Sequence, residues 1–176
     1  MHELRPKRLH VLRHAKSSWG DAALDDHGRP LNARGRRAAD RIAEHIRDQA
    51  VEPEVVLCSS ARRTRETYER IEHALVDAEV QFEPELYHAS QAVLLGRLQG
   101  LPADVECAML VGHNPGLQDL VLTLAQPGYW RQRVYEAFPT GALASLLFVV
   151  FGWSEIGPST GELEGYVVPR ELLGER

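Results

Sequence analysis

Leu9-His10-Val11-Leu12-Arg13-His14-Ala15-Lys16-Ser17 reads as a short apolar strand that runs out onto a basic pair. Two other stretches have the same form. Ala108-Met109-Leu110-Val111-Gly112-His113-Asn114-Pro115-Gly116 ends on a histidine, and Val55-Val56-Leu57-Cys58-Ser59-Ser60-Ala61-Arg62-Arg63-Thr64 turns into a helix that begins with arginines. Continuous apolar runs of this length are the mark of strands buried on both faces. If the three ends converge, imidazoles and guanidiniums from distant parts of the chain surround one small space. That combination suits a phosphoryl group with a nucleophile beside it.

The 176 residues favour one domain, taken here as residues 1–176, and a chain of this size buries roughly 70% of its unfolded surface without staples. A formal charge of −5 argues against nucleic acid as a partner. It does not argue against a small anion, because local cations outweigh a global sign. The basic N-terminus lacks a following apolar segment of the signal-peptide type, and the longest apolar stretch, Ala142 to Phe151, is too short to span a bilayer as a helix. No membrane association is expected. Cys58 and Cys107 both fall in strand-like runs and read as buried free thiols, which fits a reducing cytoplasm. Nothing in the pattern fixes an oligomeric state.

Apolar runs alternate with helical periodicity, which predicts an α/β fold: a three-layer α/β/α domain around a mostly parallel sheet. Strands are expected at Leu9–Leu12, Val55–Cys58, Gln81–Phe82, Cys107–Val111, Ala142–Phe151 and Glu164–Val168. Asn32 caps a helix from about Ala33 to Ala50 whose apolar face is Ala39, Ile42, Ala43, Ile46 and Ala50. Gly35 in its first turn marks close packing. Ser60 and Ser90 are expected caps for two more helices, and Asn114-Pro115 opens another, with proline at the first helical position.

Arginine presents a planar fork matched to phosphate oxygens, and a neutral imidazole beside it can attack phosphorus. Arg13-His14 supplies both; the bland alternative is a surface basic pair. His113, just ahead of a helix start, would stabilise charge on transferred oxygens if protonated, or would simply be a hydrogen-bonded loop residue. Arg62 and Arg63 either line the same space or lie on a solvated helix face with Glu66 and Glu69. No spacing suggests a metal site. His2, His27, His45 and His73 read as surface residues, and Trp19, Trp130 and Trp153 as packing groups.

Taken together these elements resemble the histidine phosphatase superfamily, the phosphoglycerate mutase-like enzymes. Arg13-His14 resembles its Arg-His signature, Ser59-Ser60-Ala61-Arg62-Arg63-Thr64-Arg65-Glu66-Thr67 its Ser-Pro-x-x-Arg-x-x-Gln-Thr segment, and Gly112-His113-Asn114 its second-histidine motif. Arg13-His14-Ala15-Lys16-Ser17, Arg29-Pro30-Leu31-Asn32, Leu86-Tyr87-His88-Ala89-Ser90 and Pro139-Thr140-Gly141-Ala142 resemble the SixA-type phosphohistidine phosphatase branch. The resemblance implies a phosphoglycerate mutase-like fold and a two-step reaction without metal or other cofactor. His14 attacks the phosphoryl group, Arg13, Arg63 and His113 hold it, and water then hydrolyses the phosphohistidine. The implied partner is a phosphorylated protein or a small phosphorylated substrate. The alternatives are a small-molecule phosphomonoesterase of the same superfamily and a non-catalytic phospho-binding module.

Three departures from the family pattern bear on this reading. Ala15 stands where the superfamily commonly has glycine, which implies an ordinary backbone conformation there. Ser60 replaces a proline. The general acid has only a loose counterpart in Glu85, with Asp25 and Asp26 as weaker candidates. Lys16, Ser17, Asn114 and His88 are expected to line the substrate pocket.

Overall fold

In a computed structural model, which describes residues 4–175, the chain forms one six-stranded sheet covered on both faces by helices. The elements in chain order are β1 (Arg5–Arg13), α1 (Ala33–Asp48), β2 (Val55–Ser59), α2 (Arg62–Ile71), β3 (Glu79–Glu83), α3 (Gln91–Gln99), β4 (Cys107–Gly112), α4 (Gly116–Leu124), α5 (Tyr129–Glu136), β5 (Leu143–Val150), β6 (Gly161–Val167) and α6 (Pro169–Leu172). The sheet order is β3-β2-β4-β1-β5-β6. The β3, β2, β4 and β1 strands run parallel, and β5 and β6 join antiparallel at one side. The expected layered architecture and mostly parallel sheet are both present.

Alternate residues of the central strands feed two cores. Leu9 and Val11 of β1 and Leu57 of β2 pack with Leu94 and Leu98 of α3, Leu117, Leu120 and Leu124 of α4, and Val134 of α5. On the other face, Leu12, Val56, Met109 and Val111 pack with Ile42 and Ile46 of α1 and with Tyr68 and Ile71 of α2. Burying each such aliphatic side chain stabilises the fold by about 1.5–3 kcal/mol.

Several elements differ from the sequence reading. β1 begins four residues before Leu9, because Lys7 is fully buried and its ammonium donates to the carbonyls of Ala103 (2.5 Å) and Val105 (2.8 Å). A charged residue that finds carbonyl partners sits inside a strand without an apolar signature. Ser60 does not cap α2; its hydroxyl pairs with His27 Nε2 at 2.9 Å instead. Pro115 is the cap of α4 rather than its first helical residue, and Asn114 Oδ1 accepts from the Gln118 amide at 3.3 Å. Asn32 and Ser90 do cap their helices, accepting from the amides of Gly35 and Val93. The short helices α5 and α6 carried no sequence signal long enough to read. His2 lies outside the described residues.

Candidate active site

Parallel strands bring their carboxyl ends to one edge, where open α/β sheets place ligand sites. Arg13 at the end of β1 is in register with Gly112 at the end of β4, and Cys58 of β2 is in register with Val111. The next residues along these strands, His14, Ser59 and His113, therefore emerge side by side. The His14 amide donates to the Gly112 carbonyl at 3.1 Å, and the two imidazole centroids lie 5.3 Å apart.

Each ring is held in a fixed orientation. His14 Nδ1 lies 2.7 Å from the carbonyl oxygen of Ala15. A carbonyl can only accept, so Nδ1 carries the proton and Nε2 keeps its lone pair. That lone pair faces the Nε of Arg63 at 3.4 Å. The same guanidinium reaches His113 Nδ1 and His88 Nε2, each at 3.4 Å. His113 Nε2 pairs with the buried Ser59 hydroxyl at 2.7 Å. Thus the β2–α2 turn contributes twice, through Ser59 at the end of β2 and Arg63 in the first turn of α2.

The surrounding cavity is about 380 Å³ and includes Arg13, His14, Lys16, Ser17, Asp26, Arg29, Arg63, His88, His113 and Asn114. Arg13 Nη1 donates to the Phe138 carbonyl at 3.0 Å, but its buried Nε has no partner among the described residues. Burial first, then the neighbouring Arg63, lowers the pKa of Arg13 from its usual value. Two guanidiniums that repel each other, one with an orphaned N–H, make a site that an anion would complete.

Burial also dominates the histidines. It pushes His14 down to about 3; the Ala15 hydrogen bond opposes this and the nearby arginines add to it. Burial, then His14, Arg63 and His88, push His113 down to about 2. Burial thus favours the neutral form of both rings in the free site. The state needed for nucleophilic attack is the one His14 adopts.

Lys16 and His88 are exposed at the cavity, Ser17 and Asn114 half-buried in its wall. His88 sits in the left-handed region at φ 51°, against the start of α4. There a Cβ on Gly116 would lie 2.1 Å from the neighbouring Ala89 carbonyl, so glycine sets how closely this loop approaches. Ala15 is buried and is not among the residues with positive φ, as its identity implied. Glu85 is exposed on a short turn over Pro84–Leu86 and is not part of the cavity.

The carboxylate in the cavity is Asp26. Its Oδ2 accepts from Arg63 Nη2 at 3.1 Å and from the Tyr87 hydroxyl, and its Oδ1 accepts from Arg29 at 3.1 Å. The Tyr87 hydrogen bond is the largest influence, and with the two arginines it holds Asp26 well below the usual carboxylate range. Arg29, Ser59 and Tyr87 lie in stretches that resemble family segments, yet no role could be read for them, because each acts on a site residue through contacts that only the fold brings together. Among the described residues no group of three or more His, Cys, Asp or Glu side chains is arranged to hold a metal.

Residues 9–106 match the model of the histidine phosphatase superfamily (branch 1). An uncharacterized protein of Mycobacterium tuberculosis, Rv1276c, is 32% identical over 163 residues, covering 90% of this chain and all of the relative. The chain belongs to the histidine phosphatase superfamily. The structure of SixA from Nakamurella multipartitia superposes with a TM-score of 0.82 at 28% identity, covering 93% of this chain and 96% of that one. SixA from Agrobacterium tumefaciens gives 0.80 at 27% identity, with 93% and 99% covered. Within the superfamily, the chain falls in the SixA-type branch.

Proposed function

We propose that the protein removes the phosphoryl group from phosphohistidine in a protein substrate, through a covalent intermediate on His14. The observation that carries this reading is the His14 tautomer. Its Nδ1–H is committed to Ala15, and its Nε2 lone pair faces Arg63 in a cavity that also holds the unpartnered Arg13 Nε.

In the first step Nε2 of His14 forms a bond to phosphorus as the bond from phosphorus to the substrate nitrogen breaks. The substrate imidazole leaves with the bond's electron pair. A ring already protonated at its other nitrogen leaves as neutral imidazole, which relaxes the need for a protein acid. Arg13 and Arg63 bind the equatorial oxygens, where charge gathers. The incoming dianion raises the pKa of His113, which then takes a proton at Nδ1 and donates it as a hydrogen bond while Ser59 holds Nε2. In the second step water attacks phosphorus and the bond to His14 Nε2 breaks, restoring the neutral ring and releasing phosphate.

Exposed Lys16 and His88 at the cavity fit a side chain presented on a protein surface. Two free cysteines, one buried and one half-buried, fit a reducing compartment such as the cytoplasm. The test is a substrate panel comparing a phosphohistidine-bearing phosphotransfer domain with sugar phosphates and nucleotides. The reading expects the highest kcat/KM on the phosphoprotein. A higher value on a metabolite would instead make the protein a small-molecule phosphomonoesterase, and phosphate binding without turnover would make it a phospho-binding module.

A further inference from the structure

Trp19 is not a packing group. It is 78% exposed, whereas Trp153 is 1% exposed. Of the large apolar side chains that stand exposed among the described residues, Trp19 alone belongs to the catalytic cavity. Its indole lies over the guanidinium of Arg29, whose central carbon is 3.5 Å from the ring centroid.

Arg29 is itself a fixed plate. It is buried, and its guanidinium donates to Asp26 Oδ1 (3.1 Å), Ser17 Oγ (2.8 Å) and the Ser18 carbonyl (3.3 Å). The indole is therefore backed on one face by a cation that cannot easily move, and its other surfaces are left to solvent. Stacking on Arg29 orders the ring before any ligand arrives, which lowers the entropy lost on binding. An exposed aromatic surface beside a pocket gains most when a second flat, apolar surface covers it.

We propose that Trp19 is a binding residue for the leaving group, stacking on a flat ring attached to the phosphoryl group. The proposal rests on the reading of this cavity as a phosphoryl-transfer site. It adds that the site selects aromatic or heteroaromatic phosphoryl compounds, the phosphorylated imidazole included, over ringless ones. His14 and the arginines recognise the phosphoryl group whatever it is attached to; Trp19 recognises what leaves.

The test has two arms. In the first, wild type, Trp19→Ala and Trp19→Phe are assayed on a phosphohistidine peptide and 4-nitrophenyl phosphate, which carry rings, and on phosphoramidate and acetyl phosphate, which do not. The expected result for Trp19→Ala is a KM raised about fivefold on both ring-bearing substrates, with ringless substrates unchanged and Trp19→Phe close to wild type. An equal loss on ringless substrates, or no change on ring-bearing ones, overturns the proposal. The second arm needs no turnover: equilibrium binding of phenylphosphonate is compared with that of methylphosphonate. Wild type is expected to prefer the phenyl compound about fivefold and Trp19→Ala to lose that preference. An enzyme that turns nothing over but keeps this Trp19-dependent preference would sink the phosphatase reading and leave ring recognition standing. The absence of any preference would sink ring recognition.

Discussion

The Nε of Arg63 lies 3.4 Å from the Nε2 of His14. Because the His14 proton is on the other ring nitrogen, this contact points a guanidinium at a lone pair. A phosphoryl group seated beside this contact has an imidazole lone pair and a fork of donors within reach. Asp26 holds that fork, with its backbone carbonyl 2.7 Å from Nη1 and its carboxylate 3.1 Å from Nη2.

Arg63→Ala is expected to lower kcat/KM on an aryl phosphate by about 100- to 1,000-fold, the range found when one donor to developing charge is removed. Arg63→Lys should recover only part of this, since an ammonium cannot bridge two oxygens and two imidazoles as a planar fork does. Steady-state kinetics with circular dichroism as a folding check decides it. Full recovery by lysine would show that charge alone matters.

Asp26 is held ionised, foremost by its hydrogen bond from Tyr87, so it orients Arg63 rather than delivering a proton. Asp26→Asn should lower kcat/KM by a similar factor, about tenfold, on aryl and alkyl phosphates. A proton donor would give a much larger loss on the alkyl ester, whose leaving group needs the proton. Glu85→Gln should leave both rates unchanged, because Glu85 lies outside the cavity.

The meeting of Arg13, His14 and His113 was legible because each ends or follows an apolar strand and parallel strands end together, whereas Arg63 was singled out over Arg62 only by the resemblance to the family segment. What was not legible is the bonding behind them. The tautomer of His14 depends on the Ala15 carbonyl, and the position of Arg63 depends on Asp26, 37 residues earlier in the chain. Trp19 was misread because tryptophan is ordinarily buried, and only the fold places its loop at the cavity. Lys7 was lost to β1 for the opposite reason: its charge hid a buried strand position that carbonyls satisfy.

Gly35 ties α1 to the loop after His14. A Cβ there would lie 2.0 Å from the Lys16 carbonyl, a backbone atom that can yield only by moving the loop. Gly35→Ala is expected to destabilise the protein by about 1–3 kcal/mol and to reduce activity with it. Gly96→Ala, where an added Cβ meets nothing within 4 Å on exposed α3, should stabilise by about 0.5–1 kcal/mol and leave activity alone. Chemical denaturation of the two variants measures both effects.

Three histidines, His10, His14 and His113, are buried and held at about 4, 3 and 2. Burial is the first cause in each. The unfolded chain protonates them near 6.5, so below that pH it binds more protons than the folded state. Their contribution to stability is therefore complete above about pH 6.5 and is lost as pH falls, for His10 down to about 4. Each contributes a slope of up to about 1.4 kcal/mol per pH unit. His10 lies apart from the cavity and pairs with Ser145 Oγ at 2.7 Å. His10→Gln should lower the slope of unfolding free energy between pH 6.5 and 4.5 while sparing activity. An unchanged slope would mean His10 is not held neutral.

The central claim is that the phosphoryl group passes through His14. Rapid quenching of wild type with a ³²P-labelled substrate, followed by peptide mapping, tests it most directly. The account predicts a transient label on His14 that survives base and is lost in acid, and no label in His14→Ala. A label on another residue, or steady turnover by His14→Ala at the wild-type rate, would contradict it.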